Sequence, residues 1–157
     1  MKNSVQLVQL NNRYGDQIYL PYSIGVLESF VTQNKEIREN FDFKEYIFLR
    51  EKISHMVDKI GKTDILGISC YVWNWSISLK LAEAVRHQNP NCHIFIGGPQ
   101  VPDLVDKDFF KLYPYIDLTF HGEGELTFQE FLINYLNKKN FRNILGTSYN
   151  DRKKNKI

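Results

Sequence analysis

The sequence predicts one α/β domain, a doubly wound, mainly parallel five-stranded sheet with helices on both faces. Three observations carry that expectation. Short apolar runs alternate with stretches of helical periodicity five times along the chain. One run, Asp64-Ile65-Leu66-Gly67-Ile68-Ser69-Cys70, is nearly uninterrupted, as a strand covered on both faces requires. And 157 residues fill one core but are few for two domains of usual size.

Val5 to Leu10 is the first strand, and Asn11-Asn12-Arg13-Tyr14-Gly15-Asp16 follows with turn chemistry. Pro21 suits a helix first turn, with Ile24, Leu27, Phe30 and Val31 at helical spacing behind it. Tyr46 to Leu49 is a second strand, and Ile53, Met56, Val57 and Ile60 mark a helix that Gly61 can end. The central strand then leads to a helix from about Ser76 to His87, stopped by Asn89-Pro90-Asn91. Cys92 to Ile96 is the fourth strand, running straight into Gly97-Gly98-Pro99. A weaker helix over about Asp103 to Lys111, a fifth strand over Tyr115 to Phe120 and a longer helix over Leu126 to Asn137 complete the pattern. Ile144 to Asn150 reads as one extended arm whose hairpin partner would begin near Lys156-Ile157. The expected division is a domain over 1–140 and an arm or linker over 141–157 leading toward a missing segment.

A hydrophobic fraction of 43% and a charged fraction of 24% belong to a globular chain, and a formal charge of +2 gives little reason to expect nucleic acid. The basic run Arg152-Lys153-Lys154-Asn155-Lys156 lies at a chain end and suits a solvated tail. Cys70 and Cys92 sit in apolar runs, where buried thiols are expected rather than a disulfide or a metal site, in a reducing compartment. No apolar stretch nears the roughly 20 residues of a membrane span, and Met1-Lys2-Asn3-Ser4 lacks a signal-peptide core. A cytoplasmic protein with no membrane partner is the expectation.

In an open parallel sheet, ligands bind beyond the carboxyl ends of the strands, where strand order reverses. The candidates therefore lie in four exit loops: Tyr19 to Gly25, Ser69 to Trp75, Gly97 to Pro102 and His121 to Glu125. Gly97 and Gly98 lack Cβ atoms, so they admit a second backbone or a flat ligand, or simply turn tightly. Pro99 and Pro102 stiffen that loop and hold its backbone amides in place for a polar ligand tail. Tyr71, Trp73 and Trp75 crowd one strand exit. Such rings cap a core or face a large planar ligand, and three in five residues favour the ligand, with Trp75 equally suited to the core.

Glu123 and Glu125 border a helix start, where capping or ligand contact suits them better than acid-base catalysis, because no nucleophile accompanies them. His121 is expected to be a hydrogen-bonded loop residue. No catalytic residue or metal ligand is assigned. The chain has no G-x-G-x-x-G after its first strand and no G-x-x-x-x-G-K-[ST], which argues against a nicotinamide or flavin site and against a nucleotide hydrolase. The acidic pocket of a receiver domain is also missing, since the first strand leads into Asn11-Asn12 and the third ends in Ser69-Cys70.

Ser69-Cys70-Tyr71, then 25 residues, then Gly97-Gly98 resembles the S-x-L…G-G half of the cobalamin-binding domain pattern. Together with Tyr71-Val72-Trp73-Asn74, Gly97-Gly98-Pro99-Gln100-Val101-Pro102 and His121-Gly122-Glu123-Gly124-Glu125, the chain resembles the N-terminal domain of cobalamin-dependent radical S-adenosylmethionine enzymes. The resemblance runs from about Val5 to the chain end. It implies a Rossmann-like, flavodoxin-like fold that seats the corrin over the strand ends and takes the dimethylbenzimidazole tail into the domain. Ser69, Gly97, Gly98 and Gln100 would meet the tail, flanked by Pro99 and Val101. Tyr71, Val72, Trp73 and Asn74 would lie beneath the corrin, and His121, Gly122, Glu123, Gly124 and Glu125 would border the slot.

The D-x-H-x-x-G half of the pattern is absent. Tyr22, Ser23, Ile24 and Gly25 stand near its place, which implies cobalamin held with no histidine on cobalt. Cys70 and Cys92 cannot form C-x-x-x-C-x-x-C, so no iron-sulfur cluster is expected here. The implied function is a corrinoid module serving a radical S-adenosylmethionine domain in cis or in trans, not catalytic alone. The alternative is an accessory or substrate-recognition domain of the same fold without corrin, its aromatic cluster part of the core. A flavodoxin-like enzyme has only Glu123 and Glu125 in its favour.

Overall fold

A computed structural model describes residues 1–150. Its sheet is centred on β1 (Asn3–Asn11). A short antiparallel hairpin, β2 (Arg13–Tyr14) and β3 (Gln17–Ile18), follows β1 and stands apart from the main sheet. The chain then forms α1 (Tyr22–Val31), α2 (Lys35–Asn40), β4 (Phe41–Phe43), β5 (Ile47–Leu49), α3 (Ile53–Ile60) and β6 (Ile65–Ser69). It continues through α4 (Trp75–Gln88), β7 (His93–Gly97), α5 (Lys107–Leu112), β8 (Leu118–Phe120), α6 (Gly124–Leu136) and β9 (Thr147–Tyr149).

The fold is the expected α/β one, but the main sheet has seven strands rather than five. The additions are β4 and β9. β4 and β5 share one edge of β1, with Asn3 opposite Phe41 and Val8 opposite Ile47, so they lie one after the other beside it. β9 pairs antiparallel with β8, and Phe141 and Ile144 are buried ahead of it. The extended arm read over Ile144 to Asn150 thus supplies an edge strand of the sheet. Its suggested hairpin partner at Lys156-Ile157, like the basic run at Arg152 to Lys156, lies outside the described residues.

The parallel strands run in the order β5-β1-β6-β7-β8. Chain direction across the sheet reverses between β1 and β6, which opens a crevice at their carboxyl ends. Strand alternation feeds two cores. Val8, Leu10, Leu66, Ile68, Ile94 and Ile96 face α3 and α4, while Val5, Leu7, Ile65 and Phe95 face α1 and α6. Helices thus cover both faces. No helix of the described residues is long and apolar enough to cross a membrane.

Local chemistry explains the elements that periodicity leaves out. α2 buries Ile37 alone, so it carries no apolar stripe; Asn34 starts it instead by accepting from the Glu36 and Ile37 amides. Asp106 caps α5 in the same way through the Asp108 and Phe109 amides. Gly61, at φ 53°, ends α3. At the amino edge of the sheet, Arg86 reaches the Asp117 carboxylate at 2.6 Å, and the same carboxylate accepts from the Ile94 amide at 2.8 Å.

Candidate functional site

The crevice at the β1/β6 reversal is a cleft of about 340 Å³. Its floor is apolar: Leu7, Ile68, Phe95 and Phe120 from the strands, with Ile24, Val26 and Leu27 from α1. Phe95 and Phe120 stack with centroids 4.3 Å apart. Phe95 can lie flat only because its register partner on β6 is Gly67; a Cβ there would meet the ring at 2.2 Å.

One wall is polar. The Ser23 amide can only donate, so the atom it meets at 3.2 Å is the carbonyl oxygen of Gln9. The Ser23 hydroxyl donates to the same oxygen at 2.6 Å, and 2.9 Å away stands the Ser69 hydroxyl. With the Ser23 proton committed to Gln9, Ser69 donates to Ser23 and its oxygen is left as an acceptor at the cleft wall. Gln9 is buried and donates onward to Asn11, whose side chain holds the Tyr19 carbonyl at 2.9 Å. The chain of amides ties the exits of β1 and β6 to the start of α1.

Eleven of the sequence-predicted residues line this cleft: Tyr22, Ser23, Ser69, Tyr71, Gly97, Gly98, Pro99, Gly122, Glu123, Gly124 and Glu125. Gly98 has φ 102°, and a Cβ on it would stand 2.6 Å from the Cys70 carbonyl oxygen. The close approach that requires this glycine is thus made by the β6 exit, and the Cys70 amide donates to the Gly97 carbonyl at 2.7 Å. Glu123 occupies the N-cap of α6 but makes no side-chain cap bond, while Glu125 stands in the first turn, where its charge favours the helix start.

The remaining seven are placed elsewhere. Gly25 lies within α1. Asn74 is fully buried and does not face the cleft. Its amide donates to the Leu10 and Ser69 carbonyls and its oxygen accepts from the Tyr71 amide at 2.7 Å, so it shapes the loop from within. Val72 and Trp73 are exposed outside the cleft, and Trp73 stacks on Tyr71 at 4.5 Å with the planes 11° apart. Arg50 donates to the Trp73 carbonyl and braces that loop. Trp75 instead packs edge-on against Tyr113 at the core. The Gln100 amide donates to the Cys70 carbonyl, and Val101 is buried.

His121 lies in a smaller neighbouring recess with Val101 and Asp103. Its Nε2 is 3.0 Å from both the Thr119 and the Ser148 hydroxyls. Partial burial pushes its pKa below the usual imidazole range, with nearby Asp103 opposing. Burial raises both cysteine thiols to about 12, which keeps them protonated. Among the described residues no group of three or more metal-binding side chains gathers.

Sequence reasoning missed the floor and Gln9. A lone glycine in the apolar run of β6 was the available signal for a close approach, and glutamine in the otherwise apolar β1 was the signal for a polar wall.

No family model matches the chain. Among curated proteins, the cobalamin-dependent radical SAM methyltransferase TokK of Streptomyces tokunonensis is 40% identical over 114 residues, covering 73% of this chain. The 2-(S-pantetheinyl)-carbapenam-3-carboxylate methyltransferase of Streptantibioticus cattleyicolor is 39% identical over 118 residues, 75% of this chain. The chain spans 17% of the length of each of these relatives. Among solved structures, the cobalamin-dependent S-adenosylmethionine radical enzyme OxsB, with aqua-cobalamin and S-adenosylmethionine bound, superposes with a TM-score of 0.73 at 21% identity. It covers 97% of this chain and 21% of that one. The radical S-adenosylmethionine methyltransferase TsrM of Kitasatospora setae, with cobalamin and an iron-sulfur cluster bound, gives 0.66 at 16% identity, covering 98% and 28%. By sequence, this chain is a domain-sized homologue of part of a cobalamin-dependent radical S-adenosylmethionine methyltransferase, and the solved structures share its fold.

Proposed function

We propose that this chain is a corrinoid-binding module that holds cobalamin by its nucleotide tail in the β1/β6 cleft, with the corrin outside over the strand ends. The observation that carries the reading is the cleft itself. At about 340 Å³ it is near the lower end of small-molecule sites, roughly 300–1,000 Å³, so it suits the flat benzimidazole and its sugar but not the macrocycle. The apolar floor of Phe95 and Phe120 fits the base, and the Ser23–Ser69 hydroxyl pair offers polar contact beside it. The exposed Tyr71–Trp73 stack and Val72 give the corrin an apolar surface at the same sheet edge.

The surface offered to the corrin, Tyr71, Val72 and Trp73, carries no imidazole, which supports cobalamin bound without a histidine of this chain on cobalt. With two cysteines, both buried and protonated, the chain is not suited to hold an iron-sulfur cluster. Cluster chemistry and methyl transfer are assigned to a radical S-adenosylmethionine domain, in cis or in trans, in a reducing cytoplasmic setting. Burial of Phe141 and Ile144 and the pairing of β9 support a module reaching at least Asn150, past the boundary near residue 140 that the sequence suggests.

The test is retention. Purified protein is mixed with hydroxocobalamin and gel-filtered, and corrin absorbance should co-elute with it. A well-folded protein that retains none favours the accessory-domain reading. Replacing half-buried Leu27 in the cleft wall by tryptophan should fill the tail site and abolish retention while the thermal melt is kept. Retention equal to wild type would remove the tail from this cleft. A Gly98 variant cannot serve this purpose, because its collision with Cys70 would disturb the loop whether or not a ligand binds there.

A further inference from the structure

Gln9 is 6% exposed near the end of β1 and is not among the residues that line the tail cleft. A glutamine buried to that extent destabilises unless its amide is engaged, and a leucine would fill the same place without that penalty. Part of its role is structural. α1 follows Pro21, which supplies no side-chain cap, and the Gln9 oxygen takes the first-turn amide of Ser23 instead. Capping needs only that one bond. The same oxygen also takes the Ser23 hydroxyl at 2.6 Å, and that bond decides how the second hydroxyl of the cleft is turned.

Main-chain groups that cannot reverse fix the sense of the whole chain from both ends. At one end the Ser23 amide can only donate, so Gln9 meets it with oxygen and turns its amide nitrogen to the Asn11 oxygen, 3.3 Å away. At the other end the Tyr19 carbonyl can only accept, so Asn11 meets it with nitrogen. Flipping either carboxamide would set donor against donor and acceptor against acceptor. Donation therefore runs one way, from Ser69 to Ser23, Gln9, Asn11 and the Tyr19 carbonyl, and the open end is the Ser69 oxygen at the cleft wall.

Resting on the corrinoid reading, we infer that Gln9 is the positioning residue of the tail cleft: by holding the Ser23 proton it turns Ser69 into an acceptor for a donor group of the nucleotide tail, such as a ribose hydroxyl. Gln9 touches no ligand and acts through Ser23 and Ser69. Without it the Ser23 proton is free to turn toward Ser69, and the hydroxyl pair loses its fixed sense.

A double-mutant cycle read by hydroxocobalamin titration, with a thermal melt of each variant, tests the assignment. Gln9→Leu keeps the bulk and removes the acceptor. It and Ser69→Ala should each weaken cobalamin binding roughly fivefold to tenfold, and the double variant should lose no more than Ser69→Ala alone. Gln9→Glu should restore most of the affinity that Gln9→Leu loses, because a carboxyl group in either protonation state still accepts from both Ser23 donors. Cobinamide, which keeps the corrin but lacks the nucleotide tail, should bind Gln9→Leu as it binds wild type. A glutamine needed only for folding gives another pattern: its loss adds to that of Ser69→Ala, weakens cobinamide as well, and is not relieved by glutamate. That pattern overturns the assignment, and so does unchanged cobalamin affinity in Gln9→Leu. Ser23→Ala breaks the same chain with Gln9 in place and decides the matter should Gln9→Leu not fold; a loss that is absent, or that adds to Ser69→Ala, again overturns it. If wild type binds neither ligand, the corrinoid reading fails and takes this assignment with it, a result distinct from the others.

Discussion

Replacing Gly67 by alanine should cost stability and deform the cleft together, because one ring sets both. Gly67 is buried in the middle of β6, and the new Cβ would stand 2.2 Å from Cζ of Phe95 and 2.7 and 2.8 Å from the adjoining ring carbons. Carbon contacts settle at about 3.5–4.0 Å, so the ring edge must move by more than about 1 Å. It has little room: Phe120 stacks on it at 4.3 Å, and Phe128 and Phe131 lie at 5.2 and 5.8 Å. Overpacking of this kind costs about 1–3 kcal/mol. At roughly 2–4 °C per kcal/mol for a chain of this size, the melting temperature should fall by about 2–12 °C. Circular dichroism melts and guanidinium unfolding measure it. Adding Phe95→Leu should recover part of the loss, a non-additivity expected of two side chains competing for one space. A Gly67→Ala protein that melts with wild type, or a double variant whose losses simply add, would refute the account of the cleft floor.

Asn74→Ala should destabilise by about 3 kcal/mol, since it leaves the Leu10 and Ser69 carbonyls and the Tyr71 amide without their buried partner. Asn74→Asp should not rescue it, because a carboxylate cannot donate to the two carbonyls; chemical denaturation reads both. The cysteines set a pH dependence. With thiols raised from 9.0 to about 12 in the folded chain, their contribution to stability should be complete below about pH 9 and lost as pH rises toward 12. Stability curves of wild type and a Cys70→Ala, Cys92→Ala variant over that range should converge as the pH increases. At pH 8 neither thiol should react with a disulfide reagent until the protein is unfolded.

The five main strands and the helices between them are legible because each buries a local apolar pattern: a mostly apolar run in β1, a full apolar run in β6, a stripe on α6. The elements that escape that reading are those held by something other than an apolar pattern. α2 depends on the Asn34 cap, β4 on the register that places Phe41 opposite Asn3, and β9 on pairing with β8. Trp75 and Asn74 illustrate the same limit at the site. Both sit in a loop rich in exposed aromatics, but one packs on Tyr113 and the other is consumed by backbone groups of β1 and β6. Nothing in a stretch of seven residues distinguishes them from Tyr71 and Trp73.

By itself the sequence determined the alternation of strand and helix, and hence that every strand-to-helix loop gathers at one sheet edge, because parallel strands all point the same way. It also determined which loops carry glycine and aromatic chemistry. Only the tertiary structure decided the shape of the site. The Phe95 ring over Gly67 and the Gln9–Ser23–Ser69 chain depend on residues far apart in sequence. Strand register and helix packing bring those residues together, and local patterning does not encode either.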